Sequence, residues 1–137
     1  MSTIRTRGRS IAITLTLALV MFFFDDTATT EIYTITAYSS DARSCGKWAD
    51  GYTATMHRLK TGDRVVAVDP KVIPLYAWVH IEGLGWYRAL DVGGAIKGRR
   101  IDVWHERHRD AIQFGRQRLK VRWQMTPPPE HELVRSR

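Results

Sequence analysis

Asp91 and Asp102 stand eleven residues apart at the two ends of DVGGAIKGRRID, a glycine-rich stretch that carries one lysine, Lys97. Asp69, in the run VAVDPKVIPL, precedes them. Two carboxylates brought close together raise the apparent pKa of one of them, and partial burial adds to the effect. A carboxyl kept protonated near neutral pH can donate to the bridging oxygen of a glycosidic bond as oxocarbenium-like charge develops. Acid/base work on sugars is the chemistry these residue types suit. Turn capping and pairing with basic side chains would use the same residues, and spacing alone leaves both readings open.

The elements around the carboxylates must hold them in place. Asp91 follows an apolar strand, Trp86 to Leu90, and opens a turn to which Gly93, Gly94 and Gly98 give backbone freedom. Asp102 lies inside RIDVW, Arg100 to Trp104, where strand alternation sends Ile101 and Val103 to the opposite side. Burying a bare charge in such a strand is costly, so Asp102 needs either a partner or a function. Further strands are predicted at Ile35–Tyr38, Arg64–Val68, Ala77–Ile81 (the hairpin partner of Trp86–Leu90) and Leu119–Trp123. One helix is predicted from about Glu106 to Phe114, ended by Gly115. Many short strands punctuated by Gly and Pro imply a mainly β fold closed into a small barrel over residues 35–125. Residues 126–137, with Pro127 to Pro129 and then charges, read as a disordered tail.

Length and composition bound the rest. The 137 residues have room for one domain. The net charge is +7, and Arg5, Arg7, Arg9, Arg135 and Arg137 at the two ends explain much of it. The rest, including Arg99, Arg100, Arg107, Arg109, Arg116, Arg118, Lys120 and Arg122, would suit an acidic polymer or be a solvated surface. The single cysteine, Cys45, excludes an intrachain disulfide and has no ordered base to make it a nucleophile. His105 and His108 in WHERH lack the spacing of a zinc-protease motif and read as surface or helix-start residues, so no metal is expected.

Residues 1–24, a basic start followed by the apolar run Ile11–Phe24, read as an export signal. The run meets Asp25 and Asp26 without a small-residue cleavage site, which leaves an uncleaved N-terminal membrane anchor as the alternative. Either way the chain is expected to be exported, to the periplasm, cell envelope or extracellular space. Nine consecutive residues, Asp26 to Thr34 (DTATTEIYT), match the in-frame translation of a common sequencing-adapter oligonucleotide. Residues 25–34, with a start as early as 22, are therefore read as an adapter-derived artefact or a linker, and no function is drawn from them.

The wording of the motifs is more specific than their spacing. TAY (Thr36–Tyr38), VAVDPKVIPL (Val66–Leu75), GLGWYRALDVGGAIKGRRIDVW (Gly83–Trp104) and FGRQRLKVRW (Phe114–Trp123) occur in the order of the 3D domain, a family named for three aspartates and found in secreted bacterial cell-wall proteins. The resemblance covers about Thr36 to Trp123. It implies a small six-stranded double-psi β-barrel with one or two short helices, related to the catalytic barrel of membrane-bound lytic transglycosylase A. Asp69, Asp91 and Asp102 match the three aspartates. By resemblance Asp102 is the catalytic acid/base, Asp91 supports it, and Asp69 orders the loop beside the cleft. Gly93, Gly94 and Lys97 would shape the sugar site, with Tyr38 and Trp86 as further substrate-binding residues. The implied reaction is lytic transglycosylation of peptidoglycan glycan strands, with neither cofactor nor metal. The sequence departs from the family pattern at Val92 (DTGGAIKG becomes DVGGAIKG), at Tyr76 (IPLG becomes IPLY) and at Met56 (TA[ST]G becomes TATM). Val92 removes a hydroxyl and favours a rival reading, a non-catalytic wall-binding module. Nucleic-acid binding rests on charge alone and conflicts with the export signal. Sequencing the genomic locus tests the adapter reading: the expected result lacks the adapter-like segment, and an intact read through it overturns the idea.

Overall fold

The computed structural model describes residues 29–41 and 50–136. Residues 1–24, read above as an export signal or anchor, residues 22–28 of the adapter-like stretch, and Cys45 lie outside the described residues. Among the described residues no helix is long and apolar enough to cross a membrane.

Six strands close into one mixed barrel: β1 (Glu31–Tyr38), β2 (Val65–Ala67), β3 (Trp78–Ile81), β4 (Gly85–Asp91), β5 (Arg100–Trp104) and β6 (Gln117–Gln124). Around the barrel they run β1-β5-β2-β4-β3-β6. β1 pairs parallel with β5, and β2 parallel with β4. The other four pairings are antiparallel. Two short helices, α1 (His108–Phe114) and α2 (Glu130–Val134), sit outside the barrel. The mainly β six-stranded barrel expected from the sequence is thus present.

Alternation fills the interior. Tyr33 and Ile35 of β1, Val66 of β2, Val79 and Ile81 of β3, Tyr87 and Ala89 of β4, Ile101 and Val103 of β5 and Val121 of β6 form one core. β1 begins at Glu31, four residues before the expected strand. Tyr33, 2% exposed, continues the inward parity of Ile35, and the paired register runs from Glu31 opposite Val121. Whatever its origin, this stretch completes the wall between β5 and β6.

The expectation of a disordered tail is corrected. Pro127 to Pro129 carry the chain across the barrel, and α2 packs on β4. Glu132 Oε2 accepts from Trp86 Nε1 at 2.9 Å, and Ser136 Oγ accepts from the Trp86 backbone N–H at 3.1 Å. The approach needs a glycine at position 85, because a Cβ there would stand 2.5 Å from Ser136 Oγ. An amide and an indole N–H that would otherwise need solvent are satisfied by this segment.

Two residues, Met56 (φ 63°) and Tyr76 (φ 70°), hold left-handed backbone conformations without being glycine. Both stand where the family pattern has glycine, and both side chains are exposed. The left-handed region costs an L-residue roughly 1–2 kcal/mol. Met56→Gly and Tyr76→Gly are each expected to raise the unfolding free energy by about 1 kcal/mol, less the extra chain entropy of glycine. Urea denaturation checks this, and a loss of stability in both variants would contradict it.

Candidate active site

Asp91 reaches the site through a register shift. Val66 pairs with Ala89, yet Ala67 pairs with Asp91 rather than Leu90. Leu90 is the extra residue of a bulge, and a bulge re-aims the side chains beyond it. Without it Asp91 would share the inward parity of Tyr87 and Ala89. With it Asp91 faces outward beside Ala67, whose other neighbour is Asp102 on β5. The order across the sheet is Asp91–Ala67–Asp102, two strand spacings or roughly 9–10 Å between backbones. Ala67 contributes only a methyl, which leaves room between the carboxylates.

The two carboxylates have different surroundings. Asp91 Oδ2 accepts from Tyr38 Oη at 2.7 Å. Its Oδ1 accepts from the N–H of Ala54 at 2.8 Å and of Val92 at 2.9 Å. Asp102 Oδ1 accepts from Thr36 Oγ1 at 2.8 Å, across the parallel β1–β5 register. Burial pushes the Asp102 carboxyl above the usual carboxylate range and the nearby negative charge of Asp91 pushes the same way, while the Thr36 hydroxyl and Arg100 oppose them. The surroundings of Asp102 therefore favour its protonated form.

Both face a cleft of about 580 Å³. Tyr38, Gly93 and Gly94 are among its lining residues. Gly93 lets Ile96 close in behind the turn, since a Cβ there would lie 2.8 Å from Ile96 Cγ1. The opposite side is the segment Asp50 to Leu59, which contributes Tyr52, Thr53, Ala54 and Met56. It is tied down by the Ala54 bond to Asp91 and by Thr55, whose N–H and Oγ1 both donate to the Leu90 carbonyl. Leu90, set aside by the bulge, is therefore the anchor of the cleft wall.

Three expected site residues stand elsewhere. Asp69 is 8% exposed and acts as a staple: it accepts from the N–H of Gly98 at 2.9 Å and of Lys71 at 3.0 Å. These two donors, Gly98 first, hold its carboxyl below the usual range. It joins the 70–73 turn to the end of the 92–99 loop. Lys97 is exposed and does not line the cleft, and its charge bears on Asp69. Trp86 is corrected outright. It is 2% exposed, packs edge-on against His80, and is covered by Arg122 and Glu132. It lines a separate hollow beneath α2, because its outward position on β4 falls under the C-terminal segment. His105 packs on Phe114, and His108 contacts Ser39 and Asp41. No cluster of metal-ligating side chains occurs among the described residues.

Sequence reasoning missed Thr36 as the partner of Asp102 and the whole Asp50–Leu59 wall. Thr36 was within reach: it belongs to the quoted TAY motif and shares the outward parity of Tyr38. The wall had no signal beyond a polar loop, since its contacts run through backbone N–H groups.

Residues 64–125 match the family model described as the 3D domain. Over 89 residues the chain is 42% identical to a Bacillus subtilis protein named for cell wall shaping, YabE, covering 64% of this chain and 21% of that one. It is 42% identical over 91 residues to the cell wall-binding protein YocH of the same organism, covering 65% and 31%. The chain thus spans a fifth to a third of these relatives. Among solved structures it is similar to the lytic transglycosylase LtgG of Burkholderia pseudomallei, with a TM-score of 0.38, 33% identity, and 52% of this chain against 24% of that one covered. The 3D domain is thus the family whose model residues 64–125, with Asp69, Asp91 and Asp102 among them, match.

Proposed function

We propose that this chain is a peptidoglycan-cleaving lytic transglycosylase acting outside the cytoplasmic membrane, with Asp102 as its general acid/base. The observation that carries the reading is the Asp102 carboxyl, raised in pKa by burial and set one small residue away from Asp91 in an open cleft. The match of residues 64–125 to the 3D domain and the cell-wall names of YabE and YocH support the substrate class.

Asp102 donates its proton to the oxygen that joins C1 of N-acetylmuramic acid to the next N-acetylglucosamine, and the C1–O bond breaks. The carboxylate then takes the proton of the C6 hydroxyl on the same muramic unit, and O6 bonds to C1. The products are a 1,6-anhydro end and a glucosamine with a free hydroxyl. No water is consumed. One acid/base is enough because the nucleophile is internal to the sugar, where proximity replaces a second reactant. Asp91, held by Tyr38, Ala54 and Val92, supplies fixed negative charge near the developing oxocarbenium.

A second reading, a peptidoglycan-binding module without turnover, is favoured by Val92. Its side chain is 41% exposed on the cleft and offers no hydroxyl where the family pattern has threonine.

Digestion of purified peptidoglycan with mass spectrometry of the products separates the two. Anhydromuropeptides that disappear in Asp102→Asn are expected, and wall binding with no products would establish the module instead. In the active enzyme the rate falls as pH rises through the Asp102 pKa. Thr36→Val removes a donor that favours the charged form, so the alkaline limb is expected to move to higher pH. An unmoved or lowered limb would mean that Asp102 is not the titrating acid.

Linkage gives an independent check. The folded-state pKa of Asp102 lies above its unfolded value, so its stabilising contribution is complete below the ordinary carboxylate pKa of 3.8 and is lost as pH rises through the folded value. Asp102→Asn is therefore expected to melt at a higher temperature than the wild type at pH 7, with the gap closing at pH 3. A gap that widens toward acid would contradict the burial described here.

A further inference from the structure

We propose that the outward-facing cations of β5 and β6, which flank β1, form an anion-binding track that receives the free carboxylates of the stem peptides on the glycan strand seated in the cleft. The proposal rests on the peptidoglycan reading above. The register builds the track. Thr36 opposite Asp102 is the cleft end, and two residues back on the same faces Thr34 lies opposite Arg100. Thr34 is also opposite Arg118 on β6, and Ile32 is opposite Lys120. Arg122 follows, opposite His80 of β3. Cations therefore recur at every second position of β6, about 6.7 Å apart, and Arg100 joins that row to the cleft.

These cations are poorly compensated. Arg118 is exposed and makes no ion pair with any described residue. Lys120 has only Glu82 at 3.8 Å, with both side chains 58% exposed, a geometry of little energetic weight. Arg100 Nε is buried with no hydrogen-bond partner among the described residues. Arg122 alone is engaged, by Glu132 and by the Trp86 ring. The cleft has the opposite character, with Asp50, Asp91 and Asp102 among its lining residues. A neutral sugar backbone suits the cleft and its anionic substituents suit the track. Because the two surfaces meet at Arg100 and Asp102, one polymer can occupy both.

The test is sedimentation of the full chain with insoluble sacculi freed of accessory polymers, in an Asp102→Asn background that prevents digestion. Arg118→Glu with Lys120→Glu is expected to weaken binding about ten-fold at low salt, from two screened contacts of a few-fold each, and to flatten its salt dependence. The milder pair Arg118→Gln with Lys120→Gln should show a smaller loss, and an unchanged thermal melt in either pair excludes misfolding. Glycan strands stripped of stem peptides should bind the parent as weakly as sacculi bind the charge-reversed protein, with no further loss in that protein. Equal binding of parent and charge-reversed protein to sacculi overturns the proposal. So does undiminished binding of the parent to peptide-free glycan, or a track-dependent affinity that requires phosphodiester polymer or DNA. If the parent binds neither sacculi nor peptide-free glycan, the peptidoglycan reading itself fails.

Discussion

One extra residue in β4 determines where the two cleft carboxylates stand. Strand alternation would place Asp91 on the core side with Tyr87 and Ala89, where a carboxylate would have to be buried without compensation. The bulge at Leu90 reverses that parity and lays Asp91 in line with Ala67 and Asp102. It also frees the Leu90 carbonyl, which then anchors the wall of the cleft through Thr55. Carboxylate placement, spacing and cleft closure all trace to that single insertion in the ladder.

The parallel pairing of β1 with β5 does the same for Asp102. Ile101 and Val103 are fully packed, which fixes the strand's rotation and leaves Asp102 with only one direction to face. Thr36 arrives opposite it because Ile35 is packed as well. The two aspartates then diverge by surroundings: three donors surround Asp91, and one donor with substantial burial surrounds Asp102. Burial and the scarcity of donors around Asp102 are what push its carboxyl above the usual range.

Much of this was legible in the sequence because the alternation in RIDVW and the glycine turn after Asp91 are local signals. The β5 strand coincides with its expected bounds, and β3, β4 and β6 differ by one or two residues at their ends. The bulge was not legible, since nothing in WYRALD marks Leu90 as unpaired until β2 is laid beside it. Trp86 was misplaced because an aromatic residue on an outward face is equally suited to a sugar and to a covering helix. The covering helix, EHELV after three prolines, is too short and too charged to announce itself. The departures at Met56 and Tyr76 were visible as letters, and the backbone supplied their meaning, a left-handed φ held without glycine.

The outward position of the cleft has an evolutionary consequence. Core residues and site residues alternate along the same strands but face different phases, one apolar and one wet. A substitution at Ile35, Ile101 or Val103 is therefore felt in folding, and one at Thr36, Asp102 or position 92 is felt in the cleft. The two can drift at separate rates within a single strand pair. A lineage can keep the barrel intact while its chemistry is won, dulled or lost, so among such barrels inheritance of the shape and inheritance of the reaction have to be traced as two histories.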